Sequence, residues 1–296
     1  MKRFLMIIVT FLIAMIPKDT SAATLVQNRF MYVWNADQFL GNDENQTLER
    51  NQLAKFIKDK GIQEIFFASS LELKNIESNQ DPSRLQQFIA EMNKIGVKVH
   101  ALGGDVKWVE NDGQDAVQFL NRVKKYNQTA PINSRFAGIQ FDVEPWQKQQ
   151  MSIYLDAYKK MIDRVYIAND HSLKLGYAIA AWFDSPDHAQ QNYYKVNQYV
   201  QQRSDYVSVM AYRDQADQII SWARGEVNYA AQIGKKVIVS IETHPIASGV
   251  TKDNTFGDGN LANMEGHLSQ VYNEFKSYPN FLGIGIHAYE YYRKMK

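Results

Sequence analysis

The chain has 296 residues, no cysteine, 45% hydrophobic and 12% aromatic residues, and a formal net charge of +1. The missing cysteines exclude disulfides, zinc–thiolate sites and thiol nucleophiles, and the near-neutral charge offers no basic field for nucleic acid. A substantial core is possible, and the expected partner carries no strong charge.

At the N-terminus, Lys2 and Arg3 precede an apolar run from Leu5 to Ile16, and small residues follow at Ser21, Ala22 and Ala23. The run is shorter than the roughly 20 residues of a membrane helix, so the pattern predicts a signal peptide over 1–22, cleaved after Ala22 or Ala23. The protein is then expected to be secreted or periplasmic, without membrane insertion once cleaved. The remainder, 24–296, has a length ordinary for one α/β barrel domain.

Along that domain one punctuation recurs: a polar amphipathic stretch, a glycine, then an apolar β-rich run, as in "KDKGIQEIFFAS", "NKIGVKVHAL" and "AQIGKKVIVS". Gly61, Gly96 and Gly234 suit the left-handed position that ends a helix, and the hydrophobic period changes after them from helix to strand. The clearest helix precedes Gly96: Asp81 caps it, Pro82 opens it, and Leu85, Phe88, Ile89, Met92 and Ile95 form its apolar face. Strands are predicted over 29–34, 62–69, 97–103, 136–144, 173–182, 205–212, 236–242 and 281–288. Amphipathic segments separate them at 46–60, 82–95, 113–126, 148–168, 187–203, 217–233 and 262–277. Eight alternating units predict a parallel (β/α)8 TIM barrel as a single domain; a doubly wound sheet would want a glycine-rich phosphate loop after the first strand, which "MYVWNADQFLGN" lacks. The long irregular stretch "THPIASGVTKDNTFGDGN" after strand seven is a candidate substrate-covering loop.

In such a barrel the chemistry gathers at the C-terminal strand ends. Strand four ends in "FAGIQFDVEPW", where alternation puts Gln140, Asp142 and Glu144 on one face, toward the barrel mouth, and Ile139, Phe141 and Val143 on the other, toward the helices. Neighbouring ends contribute Trp34, Trp108, Trp182, Tyr212, Arg213, Asp214, Glu242, His244, His287 and Tyr289. Paired carboxylates in a cleft are costly unless paired or used. Trp34, Trp108, Trp146 and Trp182 share this end, and flat apolar faces with a polar edge suit sugar rings. No G-x-S-x-G elbow is present. Glu242, His244, His287 and Asp142 include metal-type donors, but no pair has short motif spacing, and neither a metal nor a cofactor is expected.

Two groups of barrel glycosidases are resembled. The family-18 group of chitinases and endo-N-acetylglucosaminidases ends strand four in D-G-x-D-x-D-x-E. "AGIQFDVE" resembles it, with Asp142 and Glu144 matching the last two acids while Ala137 and Gln140 stand where that family has Asp. "MAYRD" resembles the family's strand-six Met-x-Tyr-Asp, with Arg213 in place of its Asp and Asp214 one residue late; the usual strand-eight Trp is replaced by His287 and Tyr289. This likeness implies that Glu144 protonates the glycosidic oxygen, Asp142 orients an acetamido group as internal nucleophile, and Tyr212 bonds its carbonyl. The other group, retaining glycosidases with a strand-four Glu-Pro and a strand-seven nucleophile, is resembled by "VEP" and "SIET". It implies that Glu242 attacks.

The resulting expectation is a secreted or periplasmic enzyme cleaving an oligo- or polysaccharide. Glu144, Asp142, Tyr212 and Glu242 are its catalytic candidates. Trp34, Trp108, Gln140, Trp146, Trp182, Arg213, Asp214, His287 and Tyr289 are its substrate-binding candidates. The protein is expected to act as a monomer. A non-catalytic carbohydrate-binding barrel is the alternative, favoured by the missing acids at 137 and 140, and a metal-dependent hydrolase is a third class.

Overall fold

A computed structural model describes residues 28–147, 151–184 and 194–296. The expected signal peptide lies outside the described residues, as do the starts of the helical segments expected at 148 and 187.

Eight parallel strands close into a barrel in sequence order: β1 Arg29–Val33, β2 Ile62–Ala68, β3 Lys98–Gly103, β4 Gly138–Phe141, β5 Leu175–Ala180, β6 Tyr206–Met210, β7 Lys236–Glu242 and β8 Phe281–His287. The chain is a single (β/α)8 TIM barrel. Its helices are α1 Glu44–Lys60, α2 Ser70–Glu77, α3 Ser83–Lys94, α4 Gln114–Thr129, α5 Met151–Asn169, α6 Tyr194–Gln202, α7 Ala216–Ile233, α8 Leu261–Phe275 and the short α9 Tyr289–Tyr292. Among the described residues, no helix is long and apolar enough to cross a membrane.

Local signals explain the boundaries. Gly61 and Gly234 end α1 and α7 in the left-handed region, with φ of 63° and 70°, where a Cβ would be strained. Pro82, not Asp81, takes the N-cap position of α3; Asp81 stands one residue before it and accepts the Ser83 backbone N–H at 3.0 Å, while Leu85, Phe88, Ile89 and Met92 bury the apolar face. The sequence pattern missed α2, an eight-residue helix with Leu73 as its one buried residue and so almost no periodic stripe.

Two apolar layers hold the barrel. The outer one lies between sheet and helices and includes Ile139, Phe141 and Val143. The inner one fills the barrel with Phe30, Tyr32, Phe66, Leu102, Tyr206 and Ile238. Gly176 makes room there, since a Cβ at that position would lie 2.1 Å from the Tyr206 ring. Alternation on β4 therefore does what the sequence predicts, and it aims Gln140, Asp142 and Glu144 into the lumen.

Candidate functional site

The strand ends build two unlike walls. On the β4 side the chain leaves the barrel through Asp142 and Glu144. The Asp142 N–H donates to the Gly103 carbonyl at 3.0 Å, and its own carbonyl passes so close to Gly104 that a Cβ there would sit 1.9 Å from the oxygen. Glycine at 104 is thus a condition for the path of the strand-four end. The Asp142 Oδ1 is buried without a hydrogen-bond partner. Burial first, and then the negative charges of Glu144 and Glu242, push this carboxyl up to about 7, with His287 opposing. Glu144 Oε2 accepts the indole N–H of Trp146 at 3.0 Å. Trp146 meets Trp182 edge to face at 6.5 Å, and both are half-buried, so they form an aromatic wall beside the acid.

On the β7–β8 side, Glu242 is buried and held on all sides. Its Oε1 accepts the backbone N–H groups of Thr243 and His244 at 2.7 and 2.8 Å and the His244 Nδ1–H at 2.7 Å. Its Oε2 accepts the His287 Nδ1–H at 2.9 Å. Burial works against its charge, but these donors win and lower it to about 2, so the carboxylate is a permanent anion. The Trp34 indole N–H donates to His287 Nε2 at 2.8 Å, which fixes the tautomer with its proton on Nδ1. Burial disfavours charge on His287, yet Glu242 more than offsets it and raises its proton affinity. The indole opposes that second proton, because a protonated Nε2 would face Trp34 donor to donor. Glu290 Oε1 anchors this corner by accepting the backbone N–H of Trp34 and of Asn35 at 2.8 and 2.9 Å.

Tyr212 stands between the walls, half-buried, its ring stacked on His287 at 6.0 Å. Burial and then the Glu242, Tyr32, Asp142 and Glu144 side chains raise its phenol well above the ordinary value, so it is a neutral donor. Asp142, Glu144, Tyr212, Glu242, His287, Trp34, Trp146 and Trp182 are therefore brought to one rim.

Other expected site residues are placed elsewhere. Gln140 is fully buried below the rim, where its Nε2 donates to the Tyr32 hydroxyl at 3.3 Å. Trp108 packs on Phe119 and Phe141 at 5.4 and 6.4 Å, in the outer layer. Tyr289 is buried against Phe39 and Phe56, between β8 and α1, and its direction follows from α9 starting at that residue. Arg213 lies over the Trp222 ring at 3.3 Å and bonds the Asn254 side chain, while the Asp214 N–H donates to the Asp253 carbonyl at 3.1 Å. These two residues strap the stretch after β7 to the end of β6. That stretch also folds back on the rim, with the Phe256 N–H donating to the Glu242 carbonyl at 3.0 Å.

Donor atoms of Glu242, His244 and His287 lie within 4.8 Å of one another. Hydrogen bonds already engage them: both His287 nitrogens are taken, and Glu242 Oε1 has three donors. The set fits a hydrogen-bonded anion better than an ion cage. Sequence reading noted His244 as a strand-end residue but not as a partner of Glu242; the two-residue spacing on one face was the available signal.

No protein-family model matches the sequence, and no curated protein sequence matches it. Among solved structures, the barrel is similar to a GH18 chitinase from Pseudoalteromonas aurantia, with TM-score 0.57, 13% identity and coverage of 89% of this chain and 94% of that one. It is similar to a putative alpha-L-fucosidase from Bacteroides thetaiotaomicron, with TM-score 0.54, 12% identity and coverage of 99% and 95%. It is also similar to a putative deoxyribose-phosphate aldolase from Toxoplasma gondii, with TM-score 0.53, 11% identity and coverage of 92% and 93%. At such identities the likeness is one of fold: this chain shares the (β/α)8 barrel architecture found in the chitinase, the putative fucosidase and the putative aldolase alike.

Proposed function

We propose that this protein hydrolyses a glycan, with Glu144 as general acid and Asp142 as the carboxyl that orients a substituent of the bound sugar. The observation that carries this reading is the unlike setting of the rim carboxyls: Asp142 Oδ1 is buried without a donor, which favours its protonated form, while four donors hold Glu242 as an anion. Carboxyl groups whose environments push them apart are the usual basis of acid–base assignment. The sequence favours Glu144 as the proton donor; the firmest structural support for a retained proton lies two residues earlier, on Asp142, which would act beside it.

Tyr212, a neutral phenol between the walls, is suited to bond a carbonyl or hydroxyl of the sugar, and Trp146 and Trp182 to take its apolar face. Glu242 fits less well as a nucleophile. Its Oε1 is saturated and its Oε2 already holds His287, so attack would break the contact that sets that histidine. The internal acetamido nucleophile of an N-acetylated sugar is the reading this favours. We also propose that residues 1–22 are removed on export, which N-terminal sequencing of secreted material tests.

The test is a screen of the mature protein against chromogenic glycosides and cell-envelope polysaccharides. Inhibition by a thiazoline mimic of the cyclised sugar supports the acetamido route. Rescue of Glu242→Gly by azide, with a glycosyl azide of inverted configuration, would assign attack to Glu242 instead. Glycan binding without turnover on any substrate would leave the carbohydrate-binding barrel.

A further inference from the structure

Below the rim, one hydrogen-bond chain runs through the barrel interior. The Gln140 Nε2 donates to the Tyr32 hydroxyl at 3.3 Å and to the Phe141 carbonyl at 3.4 Å. The Tyr32 hydroxyl donates to Ser208 Oγ at 2.8 Å, and Ser208 Oγ meets Ser240 Oγ at 2.6 Å. The Phe141 carbonyl can only accept, and this sets which end of the Gln140 amide faces it and the Tyr32 hydroxyl. The outcome is an amide whose nitrogen is engaged and whose Oε1 is buried without a donor.

Two residues along the same strand face, Asp142 Oδ1 is also buried without a donor. Two orphaned acceptors on neighbouring inward positions are an unfavourable arrangement, since a buried polar group gives up its water and gains nothing in return when it has no partner. A carboxylate at 142 cannot help Gln140, because both would accept. A carboxylic acid can, since it adds the one donor the pair lacks.

We propose that Gln140 is a positioning residue whose Oε1 accepts the hydrogen bond of a protonated Asp142, holding that side chain inward as a neutral acid in the resting site. The surroundings agree. Burial, Glu144 on the same strand end and Glu242 from β7 oppose a negative charge at 142; His287 from β8 favours it, and the nearby phenols of Tyr32, Tyr212 and Tyr158 are held neutral. Gln140 therefore replaces electrostatic sharing of a proton with an acceptor that never ionises. Its effect on turnover rests on the glycosidase reading; the hydrogen bond itself does not.

The experiment reads the bond without requiring activity. The carboxylic-acid C=O stretch is followed by infrared spectroscopy against pH in the mature protein, and Asp142→Asn identifies the band. The expected result is a protonated band near pH 6 that is lost in Asp142→Asn and displaced in Gln140→Leu. Tyr32→Phe leaves only the 3.4 Å bond to the Phe141 carbonyl to hold the amide nitrogen, so the amide is freer to present its N–H to Asp142, which favours the anion, and the band should then titrate about one pH unit lower, the equivalent of one hydrogen bond. Circular dichroism checks that the variants fold, and Tyr32→Phe keeps the test decisive if Gln140→Leu does not. Absence of the band in the folded wild type, or an unchanged titration in folded Tyr32→Phe, overturns the proposal. If the band behaves as expected but no glycan is cleaved, the hydrogen bond stands and the enzymatic reading fails.

Discussion

The β4 wall and the β7–β8 wall of the rim hold carboxyl groups at similar depth, yet they treat them in opposite ways. Glu242 receives four donors, two of them backbone N–H groups that cannot leave without unravelling the strand end. Asp142 Oδ1 receives none. One carboxyl is thereby fixed as an anion, and the other keeps its proton into the neutral range. The lesson is that burial alone does not set protonation; the supply of fixed donors does, and here the backbone supplies them at only one wall.

That contrast can be broken most severely at Asp142. If the carboxyl acts on the sugar, Asp142→Asn should cost at least about 10²-fold in kcat/KM, whereas Glu242→Gln should have a smaller effect on chemistry and a larger one on folding. A glutamine amide would turn N–H toward the His287 Nδ1–H or lose the backbone donors, costing on the order of 1–3 kcal/mol, read as a lower Tm. If Glu242→Gln keeps its Tm and loses more activity than Asp142→Asn, the roles assigned to the two walls are reversed.

The pH dependence of stability sharpens the same contrast. Asp142 is raised from 3.8 to about 7, so its contribution is fully present below the lower value and is lost as pH rises through the upper one. Glu242 is lowered from 4.5 to about 2, so its contribution is present above the upper value and is lost as pH falls through the lower one. Melting temperatures of Asp142→Asn should therefore lose part of the wild-type decline between about pH 4 and 7. Those of Glu242→Gln should lose part of the wild-type fall below about pH 4.5. Parallel curves for wild type and either variant would contradict the corresponding assignment.

A smaller effect is expected from the aromatic surface of the β4 wall. Trp146→Ala and Trp182→Ala should each weaken glycan binding by about 1–3 kcal/mol in calorimetry. Trp108→Ala, in the outer layer, should lower Tm and leave affinity nearly intact. Unchanged affinity with a large fall in Tm for Trp146 and Trp182 would make them core residues as well.

Much of this was legible beforehand because the relevant signals are local. Glycine stops at 61 and 234 and period-two alternation on β4 are set by neighbours in sequence, so the strands fall within two or three residues of their expected bounds. The same alternation correctly aimed Gln140, Asp142 and Glu144 inward. It could not give depth: Gln140 lies one layer below the rim because β4 ends at Phe141, and only Asp142 and Glu144 pass beyond the strand. Tyr289 and Trp108 lie away from the rim cluster for a related reason. Position past a strand end says that a residue is near the rim, not which side of the wall it faces, and Phe39 and Phe119 draw these rings outward. Arg213 is engaged by Trp222 and Asn254, 9 and 41 residues away in sequence, partners that no local pattern shows. The grip of His244 and His287 on Glu242 depends likewise on β7 pairing with β8, which no local pattern reveals.

The most direct test of the account is the activity of Glu144→Gln in the mature protein on two glycosides of the same sugar, one with a poor leaving group and one with an activated aryl group. General acid catalysis by Glu144 predicts a loss of about 10²- to 10⁴-fold on the first and a distinctly smaller loss on the second. Activity undiminished on both would contradict it and leave Asp142 and Glu144 as binding residues of a barrel whose chemistry lies elsewhere.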